Sequence, residues 1–120
     1  MNKVVIEGKQ NFMGIEIPII NGGFGNGRKS ITDKTIAEIH NMKIKHVREA
    51  VNKNIKRFKN GIDYIDLKVV DEVDYNLSLL KLLEYSKMQI SKSNNIYVFS
   101  ERGYAKLIKI FDTDLAWEDI

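Results

Sequence analysis

The sequence contains no cysteine, only one proline, and no hydrophobic run long enough to span a membrane. The lack of cysteine excludes disulfides, cysteine-based zinc sites and thiol nucleophiles. The lack of a long apolar run, with an N-terminus that has no signal-peptide core, predicts a cytoplasmic protein that makes no membrane contact. The composition is otherwise globular, since 43% of the 120 residues are hydrophobic and 29% are charged. We expect a single domain over residues 1–120.

The N-terminal third has the pattern of a small sheet. Residues 3–7 and 13–19 predict two strands joined by a hairpin turn at residues 8–11, and Pro18 predicts a sheet edge or a break there. The glycine-rich residues 21–29 predict a long hairpin loop, followed by a third strand at 28–31. The later pattern predicts strands at 62–70 and 96–99, a polar break at 91–95, and helices at 77–85, 101–111 and from 112 or 113 to 117.

Two helices are predicted between these sheet regions. Thr32 is placed to cap a helix that ends near His40, and Asn41 tolerates the left-handed conformation that ends helices. A second helix is predicted at residues 43–58. Its apolar stripe has spacings of three and four and consists of Ile44, Val47, Val51, Ile55 and Phe58.

The net charge of +3 is unevenly distributed. Residues 43–59 contain seven basic residues against one acid, a local charge of +6, whereas residues 60–86 are acidic. Two helices joined by a short turn, the second with a basic face, are typical of a helix-turn-helix that binds duplex DNA. These features predict an α+β fold, a winged helix-turn-helix-like domain with an N-terminal β-hairpin and a small antiparallel sheet.

The candidate contact residues fall into two groups. The outward side chains of the second helix that have base-reading donors and acceptors are Lys45, Arg48, Glu49 and Asn52. The cations expected to contact the DNA backbone are Lys43, Lys53, Lys56, Arg57, Lys59, Arg28 and Lys29. No catalytic residue, metal site or cofactor is expected, so we do not predict an enzyme.

Two segments resemble the phage DNA-binding domains of the Orf-six-N type, which are related to KilA-N. Residues 54–58 (Asn-Ile-Lys-Arg-Phe) resemble the signature that closes the family's second helix, and residues 98–107 resemble its Phe-Thr-Glu-x-Gly-x-x-x-Leu element. Residues 59–62 depart from the family's Pro-Glu-Asp-Phe, and residues 71–94 match poorly, as a variable insertion would. The resemblance implies the N-terminal module of a longer phage or mobile-element antirepressor, acting near the nucleoid of a bacterial host cell.

Other interpretations of the sequence are weaker or remain open. Residues 22–30 resemble a phosphate-binding loop, but Arg28 stands where a lysine is required. His40 and His46 have too few neighbouring ligands to predict a metal site. The leucines of residues 77–83 favour a core helix over a dimer surface. Duplex DNA is the expected partner, and a repressor protein and a homodimer are further candidates. The alternative function is a protein-interaction module that binds a repressor or host factor with little affinity for DNA.

Overall fold

A five-stranded antiparallel sheet organises the part of the chain that the computed structural model describes, which is residues 5–12, 14–21, 24, 28–68 and 79–112. The strands are β1 (Val5–Phe12), β2 (Ile15–Asn21), β3 (Lys29–Thr32), β4 (Tyr64–Asp66) and β5 (Tyr97–Ser100). The helices are α1 (Asp33–Ile39), α2 (Ile44–Lys53), α3 (Lys87–Lys92) and α4 (Glu101–Ile110), with a 3-10 helix at Ile55–Arg57 and a helical stretch at residues 79–82. The strand order is β1-β2-β3-β5-β4, which confirms the predicted α+β class with a small antiparallel sheet.

The N-terminal hairpin forms as predicted, but its turn was placed too early. Residues 8–11 belong to β1, and the chain turns after Phe12. Gly8 has a φ of 144° and lies where the register shifts, so it forms a bulge within the strand. Gly14 takes the turn conformation at a φ of 84°, and its N–H donates to the side-chain oxygen of Asn11 at 3.1 Å. The predicted turn at residues 8–11 is therefore strand, with a bulge at its first residue.

β2 is an interior strand of the sheet, but at Pro18 only β1 is paired with it among the described residues. β1 pairs with β2 along its length, and Pro18 is opposite Lys9. Among the described residues, β3 pairs with β2 only at Ile20 and Asn21. A residue without an amide hydrogen is tolerated at such a position. The predicted loop at residues 21–29 lies largely outside the described residues, but it does connect two antiparallel strands.

β5 is buried on both faces and divides the core in two. Ile96 and Val98 pack with Ile20 on one face of the sheet. Tyr97 and Phe99 pack on the other face, against α1, α2 and α4. Because successive side chains of a strand point to opposite faces, a strand that is buried throughout needs a cover on both sides.

The face of the sheet that contains Ile20 is covered by the described part of residues 71–94, the segment that matches the family's pattern poorly. Residues 79–82 are helical, and Leu79, Leu80 and Leu83 are buried in the core, as predicted for a core helix. Leu82 is the exception, at 69% exposed. α3 begins at Lys87 because Ser86 and Gln89 form a reciprocal capping box there. It ends at Lys92, so it includes the first two residues of the predicted polar break at 91–95. The described part of this segment is therefore a structural cover for the sheet.

The remaining predicted elements are shorter in the structure or lie outside it. The strand predicted at 62–70 is β4, which spans three residues, and positions 69–70 are outside the described residues. The helix predicted at 112–117 also lies outside them, apart from its first position. No helix among the described residues is long and apolar enough to cross a membrane.

Candidate nucleic-acid interface

α1 and α2 form a helix pair whose turn is fixed by local hydrogen bonds. The hydroxyl oxygen of Thr32 accepts from the N–H of Thr35 at 3.1 Å, which confirms the predicted cap of α1. α1 ends at the predicted place, and Asn41 has the expected positive φ, at 51°. The N–H of Met42 then donates to the carbonyl of Ala37 at 2.9 Å. This compact turn sets the angle at which α2 leaves α1.

α2 is shorter than the predicted helix at residues 43–58. It ends at Lys53, and the side-chain amide of Asn54 donates to the carbonyl of Ala50 at 2.8 Å. A continuing helix would use that carbonyl to accept the backbone N–H of Asn54, so the side chain competes with the helix. The chain continues as a 3-10 turn in which Ile55 is 40% exposed and not part of the buried stripe.

Arg48 does not lie on the outward face where it was expected. Its Nε donates to Asp33 at 2.8 Å and its Nη1 donates to Ser93 at 2.8 Å, and the side chain is only 16% exposed. Asp33 is fully buried and also accepts from the hydroxyl of Tyr85 and, at 3.0 Å, from the N–H of Tyr97. Burial, and then the charge of Asp33, raises the pKa of Tyr85 well above its usual value, so the hydroxyl remains a donor. Arg48 thus joins α2 to the start of α1 and to Ser93 at the end of α3.

The outward face of α2 carries the other predicted base readers. Lys45, Glu49 and Asn52 are all exposed. Asn52 is held in place, because its side-chain oxygen accepts from the hydroxyl of Tyr97 at 2.5 Å. Burial and the nearby charge of Asp66 raise the pKa of Tyr97 to about 12, so that hydroxyl stays protonated.

Apart from Arg48, the cations of residues 43–59 are exposed and, within the described part of the chain, make no ion pairs. The four ion pairs there involve Lys9, Arg48, Arg102 and Lys106. The exposed cations of residues 43–59 are Lys43, Lys45, Lys53, Lys56, Arg57 and Lys59. With Glu49, these six cations leave a net charge of +5 on this surface, which we call the α2 surface.

A second buried carboxylate fixes the chain that follows the α2 surface. Asp63 is fully buried and accepts from the N–H of Lys59 at 2.8 Å and from Lys106 at 2.6 Å, and Arg102 lies 3.3 Å away. Lys106 also donates to the carbonyl of Arg57 at 2.8 Å. Burial alone would raise the pKa of Asp63, but these hydrogen bonds and cations outweigh it and lower the pKa.

The two cations before α1 that were predicted to contact the DNA backbone lie at a separate cleft, formed by elements other than α2. Arg28 and Lys29 are exposed and line a cleft of about 660 Å3, together with Arg102 and Glu101 at the start of α4. A strand follows the glycine-rich loop here, whereas a phosphate-binding loop leads into a helix. Arg28 and Lys29 are thus brought together with Arg102, which the sequence did not single out as a contact residue.

The histidines do not form a metal centre in the described residues. The ring of His40 is hydrogen-bonded to the hydroxyl of Tyr104 at 2.8 Å and packs edge-on against Tyr104 and Phe111. Burial lowers the pKa of His40. His46 is exposed on α2. No group of three or more potential metal ligands occurs in the described part of the chain.

The sequence misassigned Arg48 and did not single out Arg102 and Lys106, because the contacts of all three depend on distant partners. Arg48 follows Ile44 by four positions and precedes Val51 by three, so helical spacing already places it beside the buried stripe. Arg102 and Lys106 are also four apart, and thus share a face of α4. Only the fold, however, brings Asp33 and Asp63 to these side chains.

The two segments that resemble a known family have structural roles in this chain. Asn54 ends α2, and Phe58 is 5% exposed and packs edge-on against Tyr64. In the second segment the hydroxyl oxygen of Ser100 caps α4 by accepting from the N–H of Gly103 at 3.1 Å. A Cβ on Gly103 would lie 1.9 Å from the carbonyl oxygen of Asp63, so only glycine fits there. Both segments therefore fix the backbone around α2 and α4.

Both segments lie within a region that matches a known family model. No curated protein and no solved structure matches the chain. A family model described as the ORF6N domain matches residues 24–110, which is well over half of the 120 residues. The matched region runs from the cleft wall through α1, α2 and β5 to the end of α4. The chain belongs to the ORF6N domain family.

Proposed function

We propose that this chain is a sequence-specific DNA-binding module of the winged helix-turn-helix type, in which α2 enters the major groove. The family suggests the setting, which is an antirepressor or transcriptional regulator of a phage or mobile element. The observation that carries the proposal is the α2 surface, whose six exposed cations make no ion pair within the described part of the chain. Cations of this kind neutralise phosphates and release condensed counterions.

The start of α2 supports the same role. Its N-cap, Lys43, makes no side-chain capping hydrogen bond, and its first turn contains Lys45 but no acid. A positive charge at a helix N-terminus is unfavourable by about 0.3–1 kcal/mol. A DNA phosphate beside this turn would remove that penalty, and local conflicts of this kind are expected at functional sites.

The base-reading set that we propose is smaller than the sequence suggested. Lys45, Glu49 and Asn52 remain as readers, since Lys can donate to guanine, Glu can accept from cytosine and Asn can pair with adenine. Arg48 is left out because its guanidinium is held by Asp33 and Ser93. The proposed backbone contacts of the α2 surface are Lys43, Lys53, Lys56, Arg57 and Lys59.

Binding to duplex DNA, measured by fluorescence anisotropy, tests the proposal. A selection from random duplexes first supplies a preferred site. Lys45→Ala is then expected to weaken binding to that site by about 1–3 kcal/mol, the usual value of one base contact. Lys56→Ala should weaken binding to the preferred site and to random duplex alike, because phosphate contacts do not depend on sequence. A wild-type protein that binds no duplex at low salt would contradict the proposal.

A protein-interaction module is the second candidate function. Among the large apolar side chains of the described residues, Leu82 and Met88 are the most exposed, at 69% and 64%. The acidic stretch at residues 60–86, which would favour such a module, is partly internal, since Asp63 is buried and Asp66 accepts from the side chain of Asn95 at 2.8 Å. Retention on DNA-cellulose at low salt separates the two functions, because a module of this second kind would flow through.

A further inference from the structure

The cleft between β3 and α4 has an excess of positive charge. Arg28 and Lys29 approach it from the start of β3, and Arg102 approaches it from α4. Glu101 is the one acid among the described residues that line the cleft. Neither Arg28 nor Lys29 makes an ion pair within the described part of the chain. The cleft is therefore a second exposed cationic surface, formed by elements other than α2.

Arg102 keeps the capacity to bind an anion although Asp63 lies nearby. Asp63 carries one negative charge and is shared by two cations, Lys106 at 2.6 Å and Arg102 at 3.3 Å. Lys106 is the closer partner and forms the hydrogen bond. The side chain of Arg102 is 59% exposed, so its guanidinium reaches both the carboxylate and solvent. One positive charge of this group remains uncompensated.

The cleft is rigidly connected to the α2 surface. The hydroxyl of Ser100 donates to the carbonyl of Ile62 at 2.7 Å, and this bond holds Ile62, which lines the cleft, against the start of α4. Lys106 joins α4 to the carbonyl of Arg57 at 2.8 Å, at the end of the 3-10 turn. Gly61, which lines the cleft, also follows Lys59 of the α2 surface by two positions, so the two cationic surfaces are neighbours in the chain.

We infer that this cleft is a second contact with the DNA backbone, in which Arg28, Lys29 and Arg102 bind a phosphate and Phe24 and Ile62 contact its deoxyribose. The inference rests on the proposed function. An exposed cation binds a lone phosphate weakly at physiological salt, because screening is strong there. A duplex already bound by α2 presents its phosphates at high effective concentration and gains from counterion release. The cleft thus favours a phosphate of the bound duplex over a free one.

Salt-dependent binding of the 120-residue chain to a mixed-sequence duplex tests the inference. Arg28→Gln and Arg102→Gln are each expected to weaken binding about 3–10-fold and to reduce the slope of log K against log salt by about 0.9, the value for one lost phosphate contact. Glu101→Gln is expected to strengthen binding, because it removes the negative charge from the cleft. Lys87→Gln, which removes an exposed cation of α3 outside the cleft, is the matched control and should change none of these values.

Arg28→Gln distinguishes the loss of a DNA contact from a loss of folding stability, because Arg28 makes no ion pair within the described residues. If wild type and Lys56→Ala differ in duplex binding while the three cleft variants bind like wild type, the cleft inference is wrong and the proposed function stands. If wild type binds no duplex, both are wrong. If Arg28→Gln lowers binding of ATP but not of duplex, the cleft is a nucleotide site and its assignment to DNA is overturned.

Discussion

Asp33 and Asp63 are both fully buried, but their cationic partners differ in exposure. Arg48, the partner of Asp33, has a side chain that is 16% exposed. Lys106 and Arg102, the partners of Asp63, have side chains that are 30% and 59% exposed. The first carboxylate thus holds a cation inside the fold, whereas the second leaves its cations beside solvent. The positive charge that this protein exposes at its surface therefore depends on where each acid is buried, and not only on the count of basic residues.

The largest effect that separates the two carboxylates is expected from Asp33→Asn. The change leaves the charge of Arg48 buried without a counter-charge, and breaking a buried pair in this way costs about 3–5 kcal/mol. Asp63→Asn should cost less, because Lys106 and Arg102 can turn toward water. Urea unfolding followed by circular dichroism measures both. Equal losses for the two variants would remove the distinction between these sites.

The double variant Asp33→Asn with Arg48→Met checks the cause. Removing both charges and keeping similar volumes should recover part of the stability lost in Asp33→Asn, because no uncompensated charge then remains. A double variant as unstable as the sum of its single variants would show that the two side chains do not act as a pair.

The Asp63 region is expected to be sensitive to steric change. In Gly103→Ala the new methyl carbon would lie 1.9 Å from the carbonyl oxygen of Asp63, so α4 must move away from the chain that follows α2. We expect a loss of about 3 kcal/mol, at the upper end for overpacking. Gly61→Ala is the matched control: nothing lies within 4 Å of its Cβ, and a φ of 83° should cost about 1–2 kcal/mol. Thermal unfolding of the two variants gives the order.

Acid sensitivity offers a smaller test of Asp63. Its pKa in the folded protein is below the ordinary value of 3.8, so the unfolded chain takes up the proton first as the pH falls. The stability from this ionised group is complete above the ordinary value and is lost as the pH falls through the folded pKa. Asp63→Asn should therefore lose less stability than wild type below pH 3.8. Urea titrations at a series of acidic pH values measure this, and parallel curves would contradict it.

The smallest effect is expected for an ion pair that joins two exposed side chains. Lys9 lies 2.9 Å from Glu84, and both side chains are more than half exposed. Solvent screens such pairs, so Lys9→Gln should leave the unfolding midpoint unchanged. A clear shift in that midpoint would show that exposure alone does not rank the ion pairs of this protein.

Local signals in the sequence predicted local structure well. Thr32 and Asn41 begin and end α1 as expected, because each acts on backbone groups within a few residues. The length of α2 was predicted less well. The apolar spacing continues to Phe58, but the helix ends before Asn54. The side chain of Asn54 donates to a helix carbonyl, and the spacing of apolar residues contains no information about such a hydrogen bond.

The candidate site was predicted only in part because its decisive contacts are distant in sequence. Arg48 meets an acid 15 residues away, and that acid also accepts from a tyrosine 52 residues away. The Asp63 cluster likewise joins residues 43 apart. Periodicity therefore identified the exposed cations of α2, but it could not show which cation the fold would bury.

The central position of β5 has a consequence for how this protein is made. Asp33, at the start of α1, accepts a hydrogen bond from the backbone of Tyr97, 64 residues later, and β3 pairs with β5 across a similar distance. Contacts of such high separation form late in folding, and a chain emerging from the ribosome cannot make them early. We expect α1 and α2 to reach their final orientation only after β5 has been synthesised. A nascent chain or a fragment that ends before β5 would thus contain the whole α2 surface and still be unable to present it.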